Sequence, residues 1–316
     1  MKSGPDKPGQ AGGRVQEGHG HAHHRHENEK GKNRFLSVIV LNLSISILEI
    51  IAGVFSGSLA LISDAFHNLE DTASVALSFF AWKISFKRPD ENRTYGYKRA
   101  EVIAAFVNSL FLAAVCAFLI FEAVRRFLEP RAIDGGLMML MAGAAFLANI
   151  ISVFLLHGDS KESLNWKSAY LHMLGDAFFS LAVFAGAFAI KTWGLFWLDP
   201  VLSVVMSVFI ISQTYKVFLH SLNILMQSSA GLDYGSIKKD IEAVPGVKNI
   251  HHVHTWMSNE NTVYFEAHIE VDECSVTDSC GISRRIEEIL KGKYGIHHTT
   301  LQFETDRCRK KDLFYK

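Results

Sequence analysis

The sequence is poor in cysteine, balanced in charge and without a recognisable export signal. Only four cysteines occur in 316 residues, and three of them lie in the polar C-terminal part at no spacing that suggests a disulfide framework. We interpret them as reduced thiols facing the cytosol. Lysine and arginine number 32, as do aspartate and glutamate, and this balance argues against a nucleic-acid-binding protein. The first thirty residues contain no apolar core, so no signal peptide is predicted.

The apolar residues are distributed unevenly along the chain. Hydrophobic residues make up 49% of the sequence, but they are concentrated between Phe35 and Met226, and both flanks are polar. This distribution predicts a membrane domain that is followed by a soluble domain. The predicted parts are a disordered His-rich tail over 1–33, a transmembrane domain over 34–230, a cytoplasmic domain over 231–308 and a C-terminal tail over 309–316.

Six apolar segments are each long enough to cross about 30 Å of hydrocarbon as a helix, which takes about 20 residues. They lie near 35–55, 58–82, 101–127, 135–157, 168–190 and 199–226. The connection between the second and third segments carries six basic residues, whereas the connection between the fifth and sixth carries only Lys191. By the positive-inside rule the 2–3 connection is cytoplasmic, and an even number of spans then places both termini in the cytosol.

Two of these segments each contain a histidine that is followed four residues later by an aspartate: His67 with Asp71, and His172 with Asp176. A spacing of four places both side chains on one face of a helix. Ionisable groups within a membrane span are costly and therefore indicate function. Two imidazoles and two carboxylates form a tetrahedral ligand set suited to Zn²⁺ or a similar ion, and the two carboxylates balance its charge. All four residues are predicted near the middle of the bilayer, where secondary transporters bind substrates.

Other polar residues also lie within the predicted spans. Glu49 and Asp64 are costly to bury in hydrocarbon, so they are candidates for an ion path or a proton pathway. For Asn42, Ser46 and Asn108 the simpler interpretation is polar contact between packed helices.

The polar C-terminal part shows signals for short helices and strands. Helices are predicted over 234–244 and 275–295, and strands over 247–257, 262–271 and 297–305. The order αββαβ predicts a small open sheet with helices on one face.

This part is rich in residues that can bind a metal. They are His251, His252, His254, His268, Cys280, Glu304 and Cys308. Strict strand alternation places His252 and His254 on one face and His251 on the other. The alternative is that these are ordinary histidines of a half-exposed sheet. The N-terminal tract HGHAHHRHENEK (19–30) is either a weak zinc-gathering or sensing segment or plain disordered chain.

Four segments carry a resemblance to a known family. They are SGSLALISDAFHNLED (56–71), TYGYKRAEVIAA (94–105), LNWKSAYLHMLGDAF (164–178) and LDPVLS (198–203). These segments look like the cation diffusion facilitator family, and the histidine in both pairs resembles its zinc, cadmium and cobalt exporters. The likeness covers roughly residues 34–305. It implies an all-α membrane domain of six transmembrane helices, an α+β ferredoxin-like cytoplasmic domain, a homodimer and metal-for-proton exchange.

The resemblance also implies roles for individual residues. The family's transport ligands match His67, Asp71, His172 and Asp176. Its cytoplasmic metal site, structural or regulatory, matches His251, His268, Cys280 and Glu304. A charged pair that links the two domains in relatives matches Arg99 and Asp233. The histidine at position 67 favours zinc, and the short connection over 157–167 suggests a bacterial exporter of the inner membrane.

We therefore predict a secondary active transporter, not an enzyme, that exports Zn²⁺ in exchange for protons, with Cd²⁺ and Co²⁺ as further substrates. Its partners are the ions, protons, the lipid bilayer and a second copy, and regulatory Zn²⁺ is expected in the cytoplasmic domain. A membrane metalloprotease is disfavoured because the chain has no HExxH helix. Two alternatives stay open: a membrane-anchored metal sensor, and a zinc-permeable channel without proton coupling. The tight ligand set argues against the channel, since conduction requires weak or multiple sites.

Overall fold

The computed structural model describes residues 20–157, 164–308 and 310–314. Six long helices come first: α1 (Gly20–Ser56), α2 (Leu59–Ser85), α3 (Arg99–Leu128), α4 (Gly135–His157), α5 (Leu164–Trp193) and α6 (Leu198–Leu225). A smaller α+β domain follows: α7 (Tyr234–Glu242), β1 (Val247–Asn259), β2 (Thr262–Val271), α8 (Val276–Tyr294) and β3 (His298–Glu304). The predicted order αββαβ is confirmed.

Among the described residues, five helices are long and apolar enough to cross a membrane, namely α1, α3, α4, α5 and α6. The remaining one of the six long helices, α2, carries Asp64, Glu70 and Asp71 within eight residues of its length. It is nevertheless surrounded by other helices, because it contacts α1, α3, α5 and α6. Large apolar side chains such as Phe111, Phe118 and Phe121 are exposed on the outside of α3, as expected for a surface that faces lipid.

Helix α1 begins at Gly20, well before the start near residue 35 that hydrophobicity predicts. The tail over 1–33 is predicted to be disordered, whereas the backbone over residues 20–33 is helical. The rest of that prediction, over residues 1–19, lies outside the described part of the chain.

The first turn of α2 is held by a residue of α6. Gly57 adopts a left-handed conformation (φ 74°), and Ser58 then caps α2 by accepting a hydrogen bond from the Leu61 amide. The fully buried carboxylate of Asp199 accepts hydrogen bonds from Ser58 Oγ (2.6 Å) and from the amides of Leu59 (2.8 Å) and Ala60 (3.0 Å). These donors have no partner within the helix, so Asp199 satisfies them and fixes the start of α2 against α6.

The soluble domain is a three-stranded sheet in the order β1-β2-β3. Strands β1 and β2 pair antiparallel, whereas β2 and β3 pair parallel, with α8 as the connection between them. Ile237 and Ile241 of α7 pack with Ile286 and Leu290 of α8 and with Phe265 of β2 in one apolar core. A capping box begins α8 at Ser275 and left-handed Gly295 ends it, as the sequence signals indicate.

Strand β1 contains a bulge in the middle of its histidine run. The register with β2 shifts between His251 and His254, and His252 has a positive φ of 53°. The His252 and Val253 amides donate to the carbonyl oxygens of Asp312 (3.2 Å) and Leu313 (2.8 Å). Part of the predicted C-terminal tail over 309–316 therefore packs against the domain, because Leu313 contacts its apolar core.

Candidate metal centres

The structure brings together the four membrane residues that the sequence singles out. His67 and Asp71 lie on α2, His172 and Asp176 lie on α5, and each pair is separated by one helical turn. His172 Nε2 is 3.0 Å from Asp71 Oδ2, and His67 Nε2 is 3.5 Å from Asp176 Oδ1. The two imidazole rings are perpendicular, with centroids 6.0 Å apart. The ligand atoms of His67, Asp71 and Asp176 lie within 4.8 Å of one another, and His172 Nε2 is also 3.8 Å from Asp176 Oδ2. Two nitrogens and two oxygens are thus close together, which is a donor set suited to a tetrahedral divalent ion.

The four side chains are buried to different degrees. Asp176 is 2% exposed and His67 is 13% exposed, whereas Asp71 is 25% and His172 is 42% exposed. His67 Nδ1 and Asp176 Oδ2 have no hydrogen-bond partner within the described residues, although both atoms are buried. Buried polar atoms of this kind are expected to bind an ion or water.

Sequence reasoning missed Glu70, which lies beside Asp71 and interacts electrostatically with it and with His67. Its Oε1 accepts hydrogen bonds from Ser74 Oγ (2.7 Å) and from Asn108 Nδ2 (2.7 Å). These groups line a cavity of about 320 Å³ between α2, α3 and α6. A third carboxylate within the apolar part of α2 was the available signal. Asn108 therefore contacts a charged group that faces a cavity and is more than a contact between packed helices.

A second cavity of about 500 Å³ shares Ser78 and Ala105 with this one and extends to the loop between β1 and β2. Glu101 lies in its lining and accepts hydrogen bonds from Ser85 Oγ (2.8 Å) and Asn259 Nδ2 (3.3 Å). The two cavities together follow α2 from the soluble domain to the residue next to Asp71.

On the other side of His67, the path or proton candidates Glu49 and Asp64 are both fully buried. Ser180 Oγ donates to Asp64 Oδ2 (2.9 Å), and Asn149 Nδ2 donates to Ser180 Oγ (3.2 Å). Ser46 donates to the Asn42 carbonyl oxygen (2.6 Å), a contact within one helix.

A second group of metal-capable residues lies in the soluble domain, on all three strands. His251 and His268 face each other on β1 and β2. His251 Nε2 is 2.9 Å from Glu304 Oε1, and His268 Nδ1 is 3.4 Å from Glu304 Oε2. Cys308 Sγ is 3.7 Å from His268 Nδ1 and 3.6 Å from Glu304 Oε2. The ligand atoms of His251, His268, Glu304 and Cys308 all lie within 4.8 Å of one another.

The electrostatics of this group favour metal binding. Burial lowers the pKa of His268 below its usual value, so its ring is neutral and able to bind a metal at pH 7. Burial acts to raise the pKa of Glu304, but the Cys308 thiol and the two histidines outweigh it and keep that pKa low. Burial and the neighbouring Glu304 carboxylate raise the pKa of Cys308, so a metal would displace its proton. Two nitrogens, an oxygen and a sulfur are a donor set that zinc accepts.

Two predictions about this domain are corrected. Cys280 is exposed on α8 and lies outside the group, and Cys308 occupies the position that the sequence assigned to Cys280. His252 and His254 lie together as predicted, with ring centroids 4.9 Å apart. Their predicted separation from His251 is wrong, because the bulge brings the His252 ring to 4.5 Å from His268, the residue that pairs with His251. A bulge inserts one residue and therefore reverses the alternation beyond it.

The predicted pair of Arg99 and Asp233 is not formed. Asp233 caps α7 by accepting hydrogen bonds from the Ser236 amide and hydroxyl, and within the described residues no ion pair joins it to Arg99. The two domains are joined at the loop between β1 and β2 instead. The polar contacts at this junction include Lys98 Nζ to Thr262 Oγ1 (3.2 Å), Asn259 Nδ2 to Glu101 Oε2 (3.3 Å) and His220 Nε2 to Glu260 Oε1 (3.5 Å).

Both parts of the chain match known protein families. The model of the cation efflux transmembrane domain matches residues 35–226, and the model of the cation efflux protein cytoplasmic domain matches residues 230–306. The chain belongs to the cation efflux family. The predicted resemblance is thereby confirmed, and the chain is a multi-pass membrane protein of a family of transporters rather than enzymes.

Curated relatives match nearly the full folded chain. Zinc transporter ZitB of Shigella flexneri is 36% identical over 84% of this chain and 85% of its own length. The metal cation efflux system protein CzcD of Cupriavidus metallidurans is 34% identical over 84% of both. A cadmium, cobalt and zinc/H(+)-K(+) antiporter of Bacillus subtilis is 33% identical over 82% of this chain and 85% of its own length. These relatives support metal cation efflux as the function of the family member described here.

Proposed function

We propose that this cation efflux protein exports Zn²⁺ from the cytosol in exchange for protons, with Cd²⁺ and Co²⁺ as further substrates. The observation that carries the proposal is the arrangement of His67, Asp71 and Asp176 within 4.8 Å of one another, with His172 in contact with both carboxylates. Two carboxylates neutralise a divalent ion there, which suits a site surrounded by hydrocarbon. The names of the zinc transporter and antiporter relatives support the choice of metals and of an exchange mechanism.

Proton exchange follows from the chemistry of these ligands. An imidazole must be neutral and a carboxylate ionised before either can bind the ion, so metal and protons compete for the same atoms. Zn²⁺ binds from the cytosolic side, the helices rock to open the site outward, and protons from the more acidic outer side displace the ion. The metal-free, protonated site then carries these protons to the cytosol. Glu49 and Asp64 belong to the path on the outer side.

We propose that the membrane topology, the dimer and the cytoplasmic metal site also follow the predictions made from the sequence. All six helices, including α2, cross the inner membrane, and both termini are cytoplasmic because the basic 2–3 connection is. The ferredoxin-like cytoplasmic domain joins two copies into a homodimer. His251, His268, Glu304 and Cys308 would hold a regulatory Zn²⁺ that couples cytosolic metal to the dimer. Cys280, from the predicted set, is exposed and outside this group.

Zinc uptake into proteoliposomes tests the function, with and without an acidic lumen. We expect that the acidic lumen accelerates uptake by the parent chain, that Asp176→Ala abolishes it, and that His297→Ala, at an exposed histidine, leaves it unchanged. Uptake that is indifferent to the pH gradient would identify a channel or uniporter. Tight zinc binding without uptake would identify a membrane-anchored sensor.

A further inference from the structure

Next to the transport residues lies a group of polar side chains of which the proposed function uses only Glu49 and Asp64, without saying what they bind. We call Glu49, Asp64, Asn68, Asn149 and Ser180 the inner oxygen cluster. The five residues come from α1, α2, α4 and α5, and all are fully buried. Ser180 donates to Asp64, Asn149 donates to Ser180, and Glu49 interacts electrostatically with Asp64. Asn68 follows Asp64 by one turn on α2.

Most side-chain oxygens of the cluster lack a hydrogen-bond donor. Among the described residues, both carboxylate oxygens of Glu49, Asp64 Oδ1, Asn68 Oδ1 and Asn149 Oδ1 are buried without a hydrogen-bond partner. Native proteins leave few such atoms unsatisfied, and each one calls for a bound ion or water. Five unsatisfied acceptors beside a single unsatisfied amide donor, Asn68 Nδ2, favour a positively charged occupant.

The position of the cluster relates it to the transport residues. Asp64 precedes His67 by three residues on α2, which is about 4.5 Å along the helix axis. Electrostatic interaction joins Asp64 with His67 and Asp176. Ser180 lies one turn beyond Asp176 on α5. Glu70 and its cavity lie on the opposite side of His67, toward the soluble domain. In the proposed orientation, Glu70 is therefore on the entry side and the inner oxygen cluster is on the exit side.

We propose that the inner oxygen cluster is a second site for the transported divalent cation, on its way out. This inference rests on the proposed function. Two carboxylates balance the charge of one divalent ion, and amide oxygens complete a coordination shell of hard donors. Zinc accepts oxygen ligands but prefers nitrogen and sulfur, so the second site binds more weakly than the site of His67 and His172. Transfer to a weaker neighbouring site lets a tightly held ion leave.

Equilibrium dialysis with Zn²⁺ on the full-length chain in detergent tests the proposal. The background variant Asp71→Asn/His172→Ala/His268→Ala removes ligands of the other two sites and leaves the cluster unchanged. We expect this background to retain a weak zinc site, and Glu49→Gln added to it to lower the affinity at least tenfold. Ser44→Ala, an exposed position on the same helix, is the matched control. Zinc binding by the remaining histidines is the same in all these variants. The difference in zinc affinity between two variants therefore reports on the cluster.

Asn68→Ala is a second variant, for the case in which Glu49→Gln does not fold, and it is expected to weaken the same site. Equal zinc affinity in the background and in folded Glu49→Gln or Asn68→Ala chains would overturn the proposal, as would a background without the weak site. In the otherwise unchanged chain, Glu49→Gln should lower the maximal rate of zinc transport more than it raises KM. A parent chain that binds zinc in the cluster but does not transport it would refute the proposed function alone.

Discussion

His172 Nε2 lies 3.0 Å from Asp71 Oδ2, although the two residues are 101 positions apart in the chain. Each also belongs to a pair within its own helix, with Asp176 and His67 respectively. The cross-helix contact converts two separate pairs into one four-residue group. Because each helix supplies one imidazole and one carboxylate, a movement of α2 relative to α5 changes the distances between the two pairs together. This property suits a site that must bind an ion and then release it.

Replacement of His172 by alanine tests this group directly. We expect at least a tenfold loss of zinc affinity and a loss of transport. Removal of a metal ligand lowers the affinity at least as much as removal of a residue that hydrogen-bonds to a ligand. The measurement is zinc uptake into proteoliposomes, with His297→Ala as the control. A His172→Ala protein that transports zinc at the parent rate would contradict the assignment.

Glu70 is predicted to act on entry of the ion and not on its binding in the transport site. Its carboxylate faces the cavity that leads toward the soluble domain, and a negative charge there raises the local cation concentration. Glu70→Gln should therefore raise the KM for zinc a few-fold, leave the maximal rate unchanged and weaken the dependence on salt. Glu129→Gln, at an exposed glutamate after α3, is the control. A fall in maximal rate at constant KM would place Glu70 in a later step.

Two of the three cysteines in the soluble domain, Cys280 and Cys308, are predicted to have opposite effects on zinc binding. Cys308 lies with His268 and Glu304, whereas Cys280 is exposed on α8. Cys308→Ser should weaken zinc binding by the soluble domain at least tenfold, and Cys280→Ser should leave it unchanged. Competition with a chromophoric zinc chelator on the full-length protein measures both. The reverse ranking would restore the prediction made from the sequence.

Asp199 is predicted to stabilise the membrane domain by holding the start of α2. It accepts three hydrogen bonds, and asparagine retains only one side-chain oxygen to accept them. Asp199→Asn should lower the stability by about 1–3 kcal/mol, the usual cost of leaving a buried donor unsatisfied. Thermal unfolding in detergent measures the change, and Glu91→Gln in the exposed 2–3 connection is the control. An unchanged unfolding midpoint would show that the contact is dispensable.

Local periodicity was sufficient for much of the fold. The αββαβ order of the soluble domain is encoded in short-range patterns, such as Ser275 with Asp278 at the start of α8 and Gly295 at its end. The same holds for the two histidine–aspartate pairs, because a spacing of four fixes two side chains on one helical face regardless of the rest of the chain. The span predicted over 58–82 is the exception, because α2, which carries half of the transport residues, is not among the five described helices that are long and apolar enough to cross a membrane.

Other features depended on contacts that no local pattern contains. Cys308 rather than Cys280 joins His268, since β3 and the residues after it run beside β2, a pairing across about forty residues. The bulge at His252 reorients the histidines of β1. The carbonyl oxygens of Asp312 and Leu313 accept hydrogen bonds from the backbone amides that the bulge leaves unpaired.

The sequence alone determined which residues can bind a metal and which of them share a helical face, because helix geometry acts over four residues. The tertiary structure decided which of those faces meet. Helices α2 and α5 meet at His67 and Asp176. Asp233 instead caps its own helix and forms no ion pair with Arg99 in the described part of the chain. Packing of distant segments sets those distances, and packing depends on the shape of the whole chain.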